Sequence, residues 1–281
     1  MVLEPQKLKQ LFEEYGVWPS KSKGQNFLID QVVLEKIVQA AGLQPDNNVL
    51  EIGPGFGILT EELIKRAQKV LGIELDKRLV YFLKQKFKHE KKLEILQTDI
   101  LKIKNSELYD KLTKGQGSYK LVANLPYNIT GAVLRKFLVY EPKPEAIILL
   151  LQKEVAQRII AQPGKMSLLA LSVQFYGQPQ IIDYVSQESF YPKPKVESAI
   201  LKITVKNIYN LEVLMEKKFW QLAKIGFSSP RKQLQNNLSA GLSIAKESLK
   251  NSLKLAGLRP DCRAQDLNLD QWISLTKNLM T

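Results

Sequence analysis

Four aliphatic runs recur along the first half of the chain, and each closes on a glycine or a polar side chain. NNVLEIG (47–53), KVLGIEL (69–75), LEILQTD (93–99) and YKLVANL (119–125) place those closing residues at Gly53, Glu74, Asp99 and Asn124. The intervals are 74 − 53 = 21, 99 − 74 = 25 and 124 − 99 = 25 residues. That is room for a strand, a crossover helix and their turns, as parallel strands require. ILTEELIKRA (58–67) and KRLVYFLKQKF (77–87) have the apolar spacing of two such helices. An α/β fold built on a parallel sheet is predicted, with the closing residues gathered at the carboxyl ends of the strands, where open sheets bind ligands.

EAIILLLQ (145–152) reads as a fifth strand leading into the helix KEVAQRII, and SLLALSVQFYG as a further helix. Two more strands follow around QIIDYV (180–185) and SAILKITV (198–205). Beyond residue 206 the strand signals stop. LEVLMEKKFWQLAKIGF, PRKQLQNNLSAGL, AKESLKNSLKLAG and LDQWISLTKNLM are four helical patterns separated by short breaks. Two domains are therefore expected, an α/β domain over 1–205 and a helical domain over 206–281.

Charge suggests what the helical part does. The 281 residues carry 41 Lys and Arg against 28 acids, a net charge of +13. Residues 206–281 hold 12 cations and 6 acids, 12 − 6 = +6, leaving 13 − 6 = +7 for the first 205. The denser charge of the tail suits docking to a polyanion, nucleic acid above all. Solubility charge alone would leave the same balance.

Several chemistries are poorly supplied. Cys262 is the only cysteine, so there is no disulfide framework and no cysteine-rich zinc site; no metal is expected. His89 is the only histidine and sits in the charged run KFKHEKK, which argues against a Ser-His-Asp triad. The first twenty residues show no apolar core of a signal peptide, and AIILLL is too short to span a bilayer. A cytoplasmic protein without a membrane partner is expected.

EIGPGFG (51–57) falls where the first strand meets its helix. Glycines there let the backbone turn tightly and approach a ligand. A dinucleotide fingerprint needs its third glycine at 58, where Ile58 stands. The spacing leans instead towards S-adenosylmethionine, which brings no pyrophosphate. Glu74 is placed to accept both ribose hydroxyls. Asp99 can accept from an adenine amine, with Ile100 packed beside the base. Taken singly, the glycines also suit a packing turn, and each acid a helix cap.

VANLPYNIT (122–130) then supplies an acceptor, a stiff bend and a flat ring. A base amine is a poor nucleophile because its lone pair is delocalised. Asn124 Oδ1 and a carbonyl of the Leu125–Pro126 bend can accept its two N–H groups and stabilise the charge that develops on nitrogen. Pro126 stiffens the bend, and Tyr127 can stack on the base. Alone, the same residues also describe a strand-ending turn with a core tyrosine.

GQNFLID, EIGPGFG, IELD, QTDIL, NLPYNI, LLQKEVAQRI, FYPKPKVESA and SSPRKQLQNNL, in that order, resemble the ribosomal RNA adenine N6,N6-dimethyltransferases, most nearly the bacterial small-subunit (KsgA-type) branch. The resemblance covers about residues 20–275. It implies a Rossmann-like S-adenosylmethionine-dependent methyltransferase domain with a small all-helical C-terminal domain. It also implies dimethylation of two adjacent adenosines in the 3′-terminal hairpin of small-subunit (16S) rRNA on the immature small subunit, with S-adenosylhomocysteine as product. Asn26 and Leu28, Gly53 and Gly55, Glu74, Asp99, Ile100 and Asn124 would hold the cofactor, with residues 1–30 contributing to the site. Tyr127 would stack the target base and Phe190 cover its other face.

Lys21, Lys23, Lys153, Arg158, Lys193, Lys195, Arg231 and Lys232 are the candidate RNA contacts. In SSPRKQLQNNL, a Ser N-cap and Pro in the first helical turn would aim backbone amides at an RNA phosphate, beside Arg231 and Lys232; a plain capped helix with solvated charges fits as well. A monomer is expected. The same chemistry on large-subunit rRNA, a non-catalytic RNA-binding assembly factor and a small-molecule methyltransferase are the alternatives. Intact glycines, acids and NLPY disfavour the second, and the charge disfavours the third.

Overall fold

The computed structural model describes residues 5–19, 25–206, 209 and 211–280, with the side chain of Tyr127 outside the description. The chain divides into two compact units, one of residues 1–156 with 178–206 and one of residues 157–177 with 207–281.

Among its described residues the first unit holds nine strands: β1 (Phe27–Leu28), β2 (Asn48–Ile52), β3 (Lys69–Glu74), β4 (Leu93–Gln97), β5 (Tyr119–Asn124), β6 (Ala146–Gln152), β7 (Gly177–Val185), β8 (Phe190–Tyr191) and β9 (Ser198–Val205). Seven form one sheet in the order β4-β3-β2-β5-β6-β9-β7. The pairs from β4 to β6 are parallel, and β9 runs antiparallel to β6. β2 to β6 read as near-continuous aliphatic runs because the parallel part of the sheet is covered on both faces. Val49, Val70, Val122 and Ile148 pack in one core with helices α2 (Gln31–Ala41) and α3 (Ile58–Arg66), while α5 (Asn105–Thr113) lies against β2, β3 and β5. α4 (Lys77–Lys86) and α6 (Thr130–Val139) follow β3 and β5.

The chain leaves β2 for β3 and β4, then returns to the other side of β2 as β5. The order reverses there, so a crevice opens beyond the carboxyl ends of β2 and β5. Register decides what faces it. Ile52 is opposite both Ile73 and Ala123. The next residues, Gly53, Glu74 and Asn124, therefore stand level across three strands.

The N-terminal stretch contains a helix the sequence reading did not anticipate, α1 (Pro5–Tyr15). Leu8, Leu11, Phe12 and Tyr15 carry helical spacing, and Leu8 and Phe12 are buried. Phe12, Phe27 and Phe56 form an aromatic cluster with centroids 5.2–5.6 Å apart beneath the glycine loop. β1 and β8 pair antiparallel, Leu28 opposite Phe190. Asp30 tightens the pairing: one carboxylate oxygen caps α2 through the Val32 and Val33 amides, and the other accepts from Ser189 Oγ at 2.8 Å.

The second unit is helical. It contains α8 (Leu168–Tyr176), α9 (Val213–Gly226), α10 (Leu234–Leu242), α11 (Lys246–Leu255) and α12 (Leu269–Asn278), and takes residues 157–159 of α7 (Lys153–Ile159). Phe175 of α8 packs on Phe219 at 4.9 Å and edge-on to Trp220 at 5.2 Å. The expected single cut at 205/206 thus differs from the observed grouping. Residues 157–177 belong with the tail helices because Phe175 and Tyr176 are part of their core.

α10 begins later than expected. SSPRKQLQNNL suggests a helix start with Ser at the N-cap, but the N-cap is Gln233 and no side chain caps the helix. Lys232 N donates to Ser229 O at 3.0 Å, closing a turn around Pro230 and Arg231 before the helix starts. Asn237 Nδ2 holds that turn through Gly226 O at 2.6 Å and Ser229 O at 3.1 Å. No helix N-terminus therefore stands at Arg231 and Lys232.

Candidate active site

The crevice at the strand ends is a cavity with two adjoining lobes that share Gln25, Gly53, Glu74 and Pro126. Asn26, Leu28, Gly55, Asn124 and Leu125 line the first lobe. Asp99 and Ile100 line the second, with Leu75, Leu101 and Ile129. Every cofactor residue expected from the sequence therefore reaches one cavity.

Glu74 organises the floor. Its carboxylate accepts backbone N–H groups from Gly55 at 3.2 Å, Leu75 at 2.8 Å and Asp76 at 3.0 Å. Burial pushes its pKa up, and the three amides oppose the shift. Three fixed donors lock both oxygens in place while leaving lone pairs for hydroxyl donors from the cavity. Gly55 must be glycine: φ is +59°, and a Cβ would stand 3.2 Å from the Phe27 ring. Gly57 serves packing. Its φ is +73°, and a Cβ would meet Phe87 at 2.7 Å and Leu83 at 2.9 Å.

The second lobe is a largely apolar recess whose lining includes the Asp99 carboxylate. Leu75 and Leu101 are exposed and Ile100 is buried, giving apolar walls. Asp99 closes it as an acceptor, its Oδ1 held by the Leu101 amide at 2.9 Å.

Asn124 donates through Nδ2 to the carbonyl of Asn26 at 3.2 Å. This fixes the amide so that Oδ1 is its acceptor end. In the bend that follows, Pro126 O accepts from Ile129 N at 3.2 Å in the 3₁₀ turn Tyr127–Ile129. The carbonyl of Leu125 is thus the better placed second acceptor. Tyr127 opens that turn.

Phe190 departs from expectation. It lies in the core with Leu28, Val33 and Leu34, 3% exposed, and lines neither lobe. Its pairing opposite Leu28 places the ring among these core side chains.

Glu51 was not singled out from the sequence. It lies within β2, is 1% exposed, and lines the first lobe. Burial pushes its pKa up to about 8, against the lowering effect of a 2.7 Å hydrogen bond from Thr60 Oγ1. An acid inside the aliphatic run VLEIG was the available signal. Gln25, Phe27 and Phe56 also line the lobe; the sequence gives them no signature beyond their place beside the glycine motif.

The candidate RNA cations belong to both units. Lys153 pairs with Glu197 at 2.7 Å and lies 5.0 Å from the Tyr184 ring centroid. Lys193 pairs with Glu188, and Lys195 is exposed. Arg158, Arg231 and Lys232 are exposed in the helical unit. Lys21 and Lys23 lie outside the described residues. Among the described residues no cluster of three or more potential metal ligands occurs, and no helix is long and apolar enough to cross a membrane.

The model of the ribosomal RNA adenine dimethylase family matches residues 20–281. The chain belongs to this family. A ribosomal RNA small subunit methyltransferase A from Dehalococcoides mccartyi is 46% identical over 265 residues, 94% of this chain and 89% of the relative. One from Alkaliphilus metalliredigens is 38% identical over 281 residues, 99% and 98% of the two chains. The crystal structure of the 23S rRNA methyltransferase ErmE is similar with a TM-score of 0.73 at 26% identity, covering 91% of this chain and 100% of that one. A dimethyladenosine transferase from Plasmodium falciparum gives 0.72 at 26% identity, covering 89% and 95%. The chain therefore has the Rossmann-like methyltransferase fold in its first unit and a helical C-terminal region in its second.

Proposed function

We propose that the protein binds S-adenosylmethionine in the two-lobed cavity and dimethylates the N6 amines of two adjacent adenosines in the 3′-terminal hairpin loop of small-subunit rRNA during ribosome assembly. The observation that carries this reading is the level alignment of Gly53, Glu74 and Asn124, with the Asn124 amide oriented by Asn26.

The residues fit the cofactor. Glu74 offers fixed acceptors for a ribose diol, Asp99 an acceptor for an adenine amine, and Ile100 and Leu101 apolar walls for the ring. The Gly55 cradle admits a ligand where a Cβ would crowd Phe27. When bound, the cofactor supplies an electrophilic methyl group on a sulfonium.

Asn124 Oδ1 and the Leu125 carbonyl accept the two N–H groups of the target amine. They hold its lone pair out of conjugation with the ring and stabilise positive charge on N6. Pro126, with φ −55°, keeps the two acceptors at a fixed angle. Tyr127 stacks on the extruded base, as an enzyme acting on a base needs. The proton shed by the product amine goes to water. His89 lies in the turn after α4 and takes no part.

The small-subunit substrate is favoured because the relatives at 46% and 38% identity bear that name, whereas the large-subunit methyltransferase stands at 26%. Arg231, Lys232, Lys195 and Lys153 are proposed to carry the RNA backbone. The test is incubation with labelled methyl donor and under-methylated small subunits or, separately, large-subunit RNA, followed by mapping of the modified base. Label on large-subunit RNA alone would overturn the substrate assignment.

A further inference from the structure

The helical unit contains a concavity of its own. Arg158, in the last turn of α7, and Lys224, in the last turn of α9, line it, and no acid does. Among the described residues neither cation forms an ion pair. Phe227, Met166 and Leu168 form an apolar wall. Phe227 is stacked on the buried Trp272 at 5.7 Å, which holds the ring in place. Gln265 and Ser167 also line it; the Gln265 backbone O accepts from Gly164 and Met166, and its Nε2 donates to Gly164 O at 2.9 Å. The side-chain oxygen is left as an acceptor.

Positive charge is denser in the helical unit that holds this concavity. The unit's 96 residues hold 13 cations and 6 acids, 13 − 6 = +7, against 28 − 22 = +6 on the 185 residues of the other unit. Pro230 is also in the lining, so the exposed Arg231 and Lys232 continue the positive surface from its edge.

We infer that this concavity is a separate RNA-contact site that takes one unpaired nucleotide, its phosphate against Arg158 and Lys224 and its base against Phe227 and Gln265. The inference rests on the reading of the protein as an RNA enzyme. Cations without acids select an anion. A fixed, recessed aromatic ring beside an amide adds recognition of a base, and only an unstacked base can enter such a recess. A duplex backbone would meet the cations but leave the ring unused.

The test uses the full chain with a short single-stranded oligoribonucleotide, the same strand made abasic, and a duplex of equal length, with binding read by fluorescence anisotropy across salt. The base-bearing strand should bind at least about fivefold more tightly than the abasic one. R158A/K224A should weaken it about tenfold and flatten the salt slope by about 1.4. F227L should remove most of the base-dependent gain without changing abasic binding. Photo-crosslinking of a base in the parent protein should map to Phe227, which reads the contact even if F227L fails to fold. Equal binding of abasic and base-bearing strands, an unchanged slope in R158A/K224A, or crosslinks confined to the other unit would overturn the inference. E74A should lose donor binding yet keep this strand affinity, so failure of the methyl-transfer reading is separable from failure of this one.

Discussion

The side-chain amide of Asn124 donates to the backbone carbonyl of Asn26, 98 residues earlier in the chain, at 3.2 Å. The N-terminal segment is thereby tied to the end of β5, and the residue proposed to hold the target amine takes its orientation from it. Asn124→Ala should reduce methyl transfer by at least about a hundredfold, as loss of a transition-state acceptor does, while RNA affinity stays within a few-fold. Single-turnover methylation alongside filter binding measures both. Turnover close to the parent would remove Asn124 from the mechanism.

Gly55→Ala should weaken donor binding at least about tenfold. The new Cβ meets Phe27 at 3.2 Å in a left-handed conformation, and the strain displaces the amide that holds Glu74. Calorimetric titration with the donor reads the effect, which should exceed any change in melting temperature under the same buffer.

Glu51 gives a pH signature. Its folded pKa is raised to about 8 from a carboxyl value of 4.5. Between those values the folded state keeps a proton that the unfolded chain has lost. Its stabilising contribution is full below about 4.5 and drains away as pH rises through about 8. Glu51→Gln stays neutral throughout. It should match the parent near about pH 5 and exceed it above about pH 8 by a few kcal/mol, at most about 4–5. Denaturant unfolding at both pH values checks this, and a gap of the same size at each would refute the buried protonated carboxyl.

Phe190→Ala should cost about 3–5 kcal/mol of stability in the absence of cofactor and RNA, because it empties a core position beside Leu28 and Leu34. A thermal scan showing the parent's midpoint would instead mean that the ring stands outside the core in solution.

Replacing Arg231 and Lys232 together by Ala should weaken RNA binding and flatten the slope of log affinity against log salt by about 1.4–1.8. Both are exposed in the turn before α10, so the fold should be unaffected. An unchanged slope would return them to solvated surface charge.

Much of the site was legible locally. Glycine between a strand and a helix, acids spaced one βα unit apart and an Asn-Leu-Pro-Tyr bend each suggest their chemistry within a few residues, and Gly53, Gly55, Glu74, Asp99 and Asn124 line the two lobes. Glu51 escaped because one acid in an aliphatic run does not say whether it points to solvent or to a ligand. α1 is not legible locally because its short apolar stripe needs the distant Phe56 and Phe82 to bury it. The start of α10 was misplaced because Ser and Pro serve a turn as readily as an N-cap, and Asn237, several residues later, chooses between them.

The amino-acid sequence by itself determined the succession of strands and helices, the positions of the strand tips and the surplus of positive charge, since periodicity, turn chemistry and composition act within short windows. Only the tertiary structure decided that Gly53, Glu74 and Asn124 stand level, that Phe190 turns into the core, and that residues 157–177 join the tail helices. Those outcomes depend on register and side-chain packing between segments tens of residues apart, which no local pattern encodes.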